Sequence, residues 1–450
     1  MTTLLARNAA VLVTMDPDRR EITDGGLFVR DGIIEAVGGS SDLPETADEI
    51  VDLSDCVVAP GLINTHHHFY QNLTRAVPAA QNGTLFNWLQ TLYPIWGRMG
   101  PDEIRVTAQL ALAEMALAGA TCSSDHLYMY PNGARLDDEI DAAREIGVRL
   151  HATRGAMSIG ESDGGLPPDN LVEREADILD DCLRVVQAHH DPNPGAMIRV
   201  GIAPCSPFSV SRELMRDAAI LARDQGVMLH THLAENDDDV VYSLENFGCR
   251  PGDYAEDLGW TGDDVWHAHC VKLDANEIDL FSRTGTGVAH CPCSNMRLGS
   301  GIAPVRAMRD AGVKVGLGVD GSASNDSGDL MTEARQAMLL QRVAHGGDAL
   351  SARAALEIAT WGGAQVLGRD DLGSLEVGKR ADFAAFRTDG IELAGAWDPV
   401  AGLVFCGPVR AAHTVVEGRF VVRDGQLATM DLRKLLDTHA ALATRLISGD

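Results

Sequence analysis

The feature that most limits the fold of this chain is a succession of eight short apolar segments, separated by stretches with helical periodicity. The apolar segments cover residues 57–64, 120–125, 148–154, 199–204, 227–232, 265–270, 287–291 and 315–320. Helical spacing is clearest over 103–117, 171–188 and 213–222. Eight strand-and-helix units in succession predict an α/β fold, a closed (β/α)8 TIM barrel, rather than an open sheet. Chemistry in such a barrel is expected where the strands end.

The N-terminal part of the chain has a different pattern, with short alternating segments that predict antiparallel strands. Residues 9–14, 26–30 and 33–37 show this alternation, and Asp31-Gly32 between the last two is a strong hairpin signal. These strands precede the barrel series. A second, smaller structural unit is therefore expected beside the barrel.

The first barrel segment runs into Asn64-Thr65-His66-His67-His68. On a strand His66 and His68 point to the same face, and His67 points to the other. Two neighbouring imidazoles can supply half of a tetrahedral site for Zn²⁺ or Fe²⁺. The motif alone also fits surface histidines, or histidines that support a site without binding metal. A metal site is therefore indicated only if other strand ends supply further ligands.

Three later segments end in residues of related chemistry. His232 is followed by Glu235, His269 lies near the end of the sixth segment, and Asp320-Gly321 ends the eighth. Three histidines, one aspartate and an open position are typical of a catalytic metal site rather than a structural one. Two of these residues also have plainer interpretations: Asp320 as a turn or capping residue, and Glu235 as a carboxylate favoured at a helix N-terminus.

Composition restricts the expected partners and location. With 65 acidic and 37 basic residues the net charge is −28, which disfavours nucleic acid and anionic membranes as partners, although a solvated acidic surface explains the charge equally well. No apolar run is long enough to span a bilayer, and the first residues lack the pattern of a secretory signal. The nine cysteines are scattered without a CxxC pair, so free thiols in the cytoplasm are expected.

Taken together, the motifs resemble the amidohydrolase superfamily, in particular its branch of cytosine, guanine and S-adenosylhomocysteine deaminases and triazine hydrolases. The matching motifs are Pro60-Gly61-x-x-Asn64-x-His66-x-His68, His232-x-x-Glu235, His269, Asp320-Gly321 and Gly373-x-Leu375-x-x-Gly378-Lys379-x-Ala381-Asp382. The resemblance implies a small β-sandwich domain built from both ends of the chain. Its parts would be residues 1–56 and 367–450, the latter with a terminal helix over 432–447, and the barrel would occupy residues 57–366.

The resemblance also implies a mononuclear metal enzyme. One divalent ion, Zn²⁺ first with Fe²⁺ as the alternative, would be bound by four side chains: His66, His68, His232 and Asp320. Asp320 and His269 would orient a water molecule and take its proton, while Glu235 would protonate the ring of the substrate. The first lysine of the chain is Lys272, so no lysine on the first five strands can bridge a second metal ion, and one metal is expected.

The insert after the first strand, residues 69–96, is rich in aromatic residues. It suits a lid over a flat heteroaromatic substrate, although packing against the barrel or a second subunit would explain the aromatics as well. Three residues are candidates for contact with the substrate. They are Gln71, whose amide can donate and accept, Trp96, and Cys205, which replaces a histidine of many adenosine-type relatives. For Cys205 a small packed thiol is the alternative interpretation.

Within the branch, the segments 66–76 and 85–96 resemble the 8-oxoguanine deaminases. The resemblance implies hydrolytic deamination of a free purine-type base, 8-oxoguanine to urate and ammonia, by a homo-oligomer of two or more subunits. Deamination of guanine, isocytosine or another ring stays open, as does a triazine-type hydrolysis with a different leaving group. A noncatalytic barrel would have no reason to keep all six of the polar residues at the strand ends.

Overall fold

The computed structural model describes residues 2–449 and consists of a closed barrel and a nine-stranded sheet. In chain order the strands are β1 Thr3–Val13, β2 Glu21–Arg30, β3 Ile33–Gly39, β4 Glu49–Asp52, β5 Cys56–Pro60, β6 Leu62–Asn64, β7 Ala120–Leu127, β8 Arg149–Ala156, β9 Ile198–Pro204, β10 Leu229–Leu233, β11 Val265–His269, β12 Gly287–His290, β13 Lys314–Leu317, β14 Phe383–Arg387, β15 Ala411–Val416, β16 Arg419–Arg423 and β17 Gln426–Leu427. The α-helices are α1 Leu85–Trp96, α2 Pro101–Leu117, α3 Leu136–Ile146, α4 Glu175–His189, α5 Arg212–Gln225, α6 Asp237–Phe247, α7 Pro251–Asp257, α8 Ala275–Thr284, α9 Pro292–Arg297, α10 Val305–Ala311, α11 Leu330–His345, α12 Ala352–Glu357, α13 Gly363–Val366, α14 Pro399–Phe405 and α15 Leu432–Ser448.

The barrel consists of β6 to β13, which pair in parallel and in sequence order. The last strand returns to the first through the pairing of Leu317 with Asn64. The predicted (β/α)8 barrel is thereby confirmed. Because all eight strands run the same way, their C-terminal ends open on one face, where loops can carry polar side chains.

The second unit is one sheet in the order β17-β16-β15-β14-β5-β1-β2-β3, with β4 also paired to β1. Strands from the two ends of the chain meet where β14 runs antiparallel to β5. Buried side chains from both arms, including Leu27, Val58, Phe383 and Val415, form one apolar cluster. The predicted small β domain, built from N- and C-terminal segments and expected as a β-sandwich, is confirmed in its two-ended composition, and it consists of one nine-stranded sheet.

The apolar run 57–64, predicted as a single barrel strand, is divided in the structure. Its first half is β5 of the sheet, and only its second half, β6, belongs to the barrel. The division falls at Gly61, where a Cβ atom would lie 2.1 Å from Oγ1 of Thr121. The junction of sheet and barrel therefore lies at Gly61 rather than after residue 56, because only glycine allows the chain to pass this close to β7.

The terminal helix α15 packs on the barrel of its own chain. It contacts α2 and the short 3-10 turn Phe69–Thr74, with Leu435 and Leu446 buried. Arg98 donates to the carbonyl oxygen of Leu446 at 3.1 Å. Among residues 2–449 the structure has no helix that is both long and apolar enough to cross a membrane.

Arg149 of β8 joins the barrel to the sheet through a buried ion pair. Its side chain is fully buried, and its Nε and Nη2 atoms donate to the two carboxylate oxygens of Asp382 at 2.7 and 2.9 Å. It also donates to the carbonyl oxygen of Gly195 at 2.6 Å and pairs with Glu417. A forked guanidinium suits such bidentate pairing, and every partner here would lose its bond if the arginine were removed.

We predict that Arg149→Met strongly destabilises the fold, because it leaves the Asp382 carboxylate buried without a counter-charge. The expected loss in the free energy of unfolding is about 3–5 kcal/mol. Arg174→Met is the control, since Arg174 pairs with Asp177 but its side chain is 83% exposed. Urea unfolding of both variants measures the difference. A loss no larger than that of the control would show that the junction does not depend on this pair.

Candidate metal and active site

Six polar residues predicted from the sequence meet at the C-terminal mouth of the barrel. His66 and His68 follow β6, His232 lies in β10, His269 ends β11, and Asp320 follows β13. The sixth, Glu235, follows β10. His66, His269 and Asp320 are at most 4% exposed. The strand ends thus bring together residues that are up to 254 positions apart by chain number, from His66 to Asp320.

The protonation of two ligand histidines follows from their hydrogen bonds. Nδ1 of His68 lies 2.7 Å from the carbonyl oxygen of His126, and Nδ1 of His232 lies 2.6 Å from that of Cys205. A carbonyl oxygen only accepts, so both Nδ1 atoms carry the proton. The Nε2 atoms, 3.1 Å apart, are then free to bind a metal ion.

His66 also carries its proton on Nδ1, because that atom donates to His230. Nδ1 of His230 donates to the carbonyl oxygen of Trp266 at 3.0 Å, so its Nε2 accepts, and Nδ1 of His66 donates to it at 2.8 Å. Nε2 of His66 is buried without a hydrogen-bond partner among the residues that the structure describes. His230 was not among the predicted site residues. The alternation His230-Thr231-His232 was the sequence signal that could have found it.

The spacing of the free atoms tests whether a metal ion fits. Oδ1 of Asp320 lies 3.3 Å from Nε2 of His66 and 3.4 Å from Nε2 of His68. Bonds of about 2.0–2.1 Å in tetrahedral geometry give ligand atoms that are about 3.3 Å apart. Unprotonated nitrogens facing a carboxylate at this distance are stabilised by a cation between them. His66, His68, His232 and Asp320 therefore fit one divalent ion.

His126 lies in the same group of imidazoles, within 4.8 Å by its nearest ligand atom. Its Nε2 donates to the carbonyl oxygen of Ala203 at 2.8 Å, and its ring stacks on that of His232. Because that nitrogen is bonded to the main chain, only Nδ1 of His126 could face a metal ion, and this atom is buried without a hydrogen-bond partner among the described residues.

Burial and charge set the ionisation of the ligands. Burial lowers the pKa of His66 well below its usual value and that of His232 to about 3, so both rings are neutral. Burial alone would raise the pKa of Asp320, but His66 and the other imidazoles outweigh it and hold the pKa well below its usual value. Neutral imidazoles and a carboxylate are the ionisation states that bind metal.

Glu235, His269 and Asp320 form a second group beside the ligands. Nε2 of His269 lies 3.7 Å from Oε2 of Glu235 and 4.0 Å from Oδ2 of Asp320. Burial raises the pKa of Glu235 to about 7. For His269 burial acts in the opposite direction, but Glu235 and Asp320 outweigh it and raise the pKa. Groups poised near neutrality and close to one another can exchange protons.

Helix α9 holds this second group in place. Ser294 Oγ donates to Oδ2 of Asp320 at 2.5 Å, and Oδ1 of Asn295 accepts from Nδ1 of His269 at 2.9 Å. His269 and Asp320 both have a left-handed backbone, with φ of 70° and 60°. Such conformations cost about 1–3 kcal/mol each and cluster at functional sites.

A pocket of about 450 Å³, measured to its open mouth, lies above these residues. Gln71 and Cys205 line it, as predicted positions for substrate contact. Trp96 does not line it: its side chain is fully buried, and its Nε1 donates to Oγ1 of Thr74 at 3.0 Å. The prediction of a substrate contact by Trp96 is wrong, because the ring faces inward from α1. Trp88, two turns earlier on the same helix, lines the pocket in its place.

Gln71 can offer its amide nitrogen to a ligand, because a contact with the main chain orients its amide group. Its Oε1 accepts from the backbone nitrogen of Ala323 at 3.2 Å, and a Cβ atom on Gly321 would lie 1.9 Å from that oxygen. Trp88 Nε1 donates to the carbonyl oxygen of Ala323 at 3.0 Å. The aromatic insert thereby clamps the loop that follows Asp320, and Gln71 faces the pocket as a hydrogen-bond donor.

The walls of the pocket carry no lysine or arginine among the described residues. Its remaining lining, listed here, is apolar or uncharged: Leu85, Trp88, Leu89, Tyr93, Tyr128, Ser206, Phe208, Leu298 and Ser324. Beyond the metal site and His269, a ligand with a phosphate or a free carboxylate would find no counter-charge on these walls. The pocket suits a flat, uncharged ring with a few polar edges.

We predict that His230→Leu lowers the affinity for Zn²⁺ about 10–100-fold, because it removes the acceptor that keeps the proton on Nδ1 of His66. His230→Gln is the matched control, since its amide oxygen can still accept. Competition with a chromogenic chelator measures the affinity without reference to activity, and circular dichroism checks the fold. Equal affinities for the leucine and glutamine variants would contradict the role given to His230.

Comparison with known proteins agrees with this geometry. The chain is 45% identical to the 8-oxoguanine deaminase of Pseudomonas aeruginosa over 428 residues, 94% of this chain and 95% of that protein. It is 38% identical to the hydroxydechloroatrazine ethylaminohydrolase of a Pseudomonas species, with 100% and 97% covered. The crystal structure of the atrazine chlorohydrolase of Arthrobacter aurescens, complexed with zinc, superimposes with a TM-score of 0.93 at 36% identity, with 98% and 100% covered. Residues 57–421 match the amidohydrolase family, and the chain therefore belongs to it.

Proposed function

We propose that this chain is a metal-dependent aminohydrolase of a free purine-type base, and that it converts 8-oxoguanine and water to urate and ammonia. The observation that carries the proposal is the uncharged pocket that opens directly onto Glu235, His269 and Asp320. A neutral base fits these walls, whereas S-adenosylhomocysteine, with its free carboxylate, lacks a counter-charge. The likeness to the Pseudomonas aeruginosa deaminase supports 8-oxoguanine among neutral bases.

The ligand set proposed for the metal is His66, His68, His232 and Asp320, with Zn²⁺ as the ion. Held there, the ion would supply a water molecule whose pKa is lowered toward about 7. Zn²⁺ is favoured because three imidazoles and one carboxylate are ligands typical of zinc, and water would occupy a fifth position on the ion. Fe²⁺ is the alternative that metal analysis would detect.

The protein's own groups move the protons of the reaction. Oδ2 of Asp320 and Nε2 of His269 lie 4.0 Å apart and would take the proton of the attacking water as its oxygen bonds to the amino-bearing carbon. Glu235, protonated in a large share of molecules near pH 7, would donate its proton to the neighbouring ring nitrogen. Proton transfer through His269 to the amine then lets the C–N bond break and ammonia leave, and the remaining hydroxyl proton passes to Glu235 as the new carbonyl group forms.

Gln71 and Cys205 are proposed as contacts of the base. Gln71 would donate from its amide nitrogen to an acceptor on the ring, because its oxygen is bonded to Ala323. Cys205 is buried, and burial raises the pKa of its thiol to about 12, so it would present an uncharged surface. Neither residue adds charge to the pocket.

The proposal is tested by ammonia release from zinc-loaded protein with 8-oxoguanine, guanine, isocytosine, adenine and S-adenosylhomocysteine. We expect 8-oxoguanine to have the highest kcat/KM and S-adenosylhomocysteine to be inactive. Hydrolysis of a chlorinated or alkylamino triazine in the absence of any deamination would favour a second function, that of a triazine-type hydrolase. The likeness to the Pseudomonas ethylaminohydrolase and to the Arthrobacter chlorohydrolase supports this alternative.

Glu235→Gln should lower kcat about 10²–10⁴-fold, because the amide keeps the shape of the side chain but cannot release a proton to the ring. The zinc content should stay at one ion per chain. Glu245→Gln is the control, since Glu245 is exposed on α6. Steady-state kinetics measures kcat, and metal analysis measures the zinc content, in both variants. A Glu235→Gln variant with wild-type kcat would remove Glu235 from the reaction.

A further inference from the structure

Tyr128 lines the pocket but has no part in the steps described above. It lies one residue beyond β7 and is 3% exposed. Its ring meets that of His68 edge-on at 5.2 Å and that of His126 edge-on at 5.5 Å. These rings hold the phenol at the wall of the pocket, directly beside the ligand histidines.

The hydroxyl group of Tyr128 has only other phenols as partners. It forms side-chain hydrogen bonds with Tyr70 and Tyr93, and among residues 2–449 it bonds neither the main chain nor a charged side chain. The hydroxyl of Tyr130, by contrast, donates to the carbonyl oxygen of Leu127 at 2.8 Å. Buried tyrosine hydroxyls normally have a partner, so a phenol that faces the pocket without a main-chain partner is suited to bind a ligand.

Tyr128 and Glu235 face the pocket from nearly opposite sides of the barrel. Tyr128 follows β7, the second barrel strand, and Glu235 follows β10, the fifth of eight in the closed order. Gln71 follows β6, next to β7, and also faces the pocket as a donor. The side of the pocket away from Glu235 therefore presents hydrogen-bond donors to a bound ring.

We propose that Tyr128 is a specificity-determining residue whose hydroxyl donates to the 6-oxo group of the purine. The proposal rests on the function proposed above. With the amino-bearing carbon at the metal site and one flanking nitrogen toward Glu235, the other flank of the ring points toward Tyr128 and Gln71. In an oxo-purine that flank carries the 6-oxo oxygen, which is an acceptor. The site thus selects rings with an oxygen at this position over rings that lack it.

The test compares two substrates that differ in that oxygen and in the N1 hydrogen that accompanies it, 8-oxoguanine and 2-amino-8-oxopurine. In Tyr128→Phe we expect kcat/KM for 8-oxoguanine to fall about tenfold or more, mainly through KM, because a pocket hydrogen bond is lost. The value for 2-amino-8-oxopurine should stay unchanged. Tyr130→Phe is the matched control, since the same atom is removed two residues away from a hydroxyl that bonds only the main chain.

The outcomes separate this inference from the proposed function. An equal loss on both substrates, or no loss on either, would overturn the role of Tyr128 while deamination itself stands. If the wild-type protein deaminates neither base, the proposed function fails. In that case, calorimetric measurement of 8-oxoguanine binding tests the contact with Tyr128 separately. A dissociation constant that is raised in Tyr128→Phe but not in Tyr130→Phe supports the contact. Equal dissociation constants in the two variants, or no binding, overturn it.

Discussion

The position of the proton on three histidine rings determines whether the mouth of this barrel can bind a metal ion. His66, His68 and His232 each donate from Nδ1 to a fixed acceptor, and each is left with an unprotonated Nε2 that faces the others. The acceptors belong to other strands or strand ends: the carbonyl of His126 holds His68, that of Cys205 holds His232, and His230 holds His66. The donor set therefore exists only in the closed barrel, since a shift of one strand would break the bond that fixes its neighbour's proton.

The aromatic insert adds a second layer of support. Trp88 and Gln71 hold Ala323 from two sides, and Arg75 bonds Oγ of Ser322 at 3.3 Å. All three contacts fall just after Asp320, whose left-handed backbone needs such restraint. The same insert supplies one wall of the pocket, so the wall and the position of the Asp320 carboxylate are coupled. A substrate that displaced the insert would also disturb Asp320.

The sequence was informative where a pattern repeats or where chemistry is concentrated. Eight apolar segments were enough for the barrel, and the ends of those segments located His66, His68, His232, His269 and Asp320. It failed where the answer depends on packing between distant segments. The run 57–64 contains Pro60-Gly61, which marks a break, but only the approach of Thr121 to Gly61 shows that the chain changes from the sheet to the barrel there. Trp96 and Trp88 share one helix, and only the packing of that helix shows which indole faces the pocket. His230 and Tyr128 were missed because their roles depend on partners in other strands.

The uncharged pocket has a consequence for the end of the catalytic cycle. Urate, the proposed product, is an anion near neutral pH, and beyond the metal site and His269 it would form among walls that carry no lysine or arginine, inside a chain of net charge −28. Repulsion by the surrounding carboxylates would speed its departure, while ammonium would be drawn outward to the acidic surface. The two products would thus leave under opposite electrostatic forces. Accumulated product would then compete weakly with the neutral base, and the charge of the protein surface would help to keep the site open.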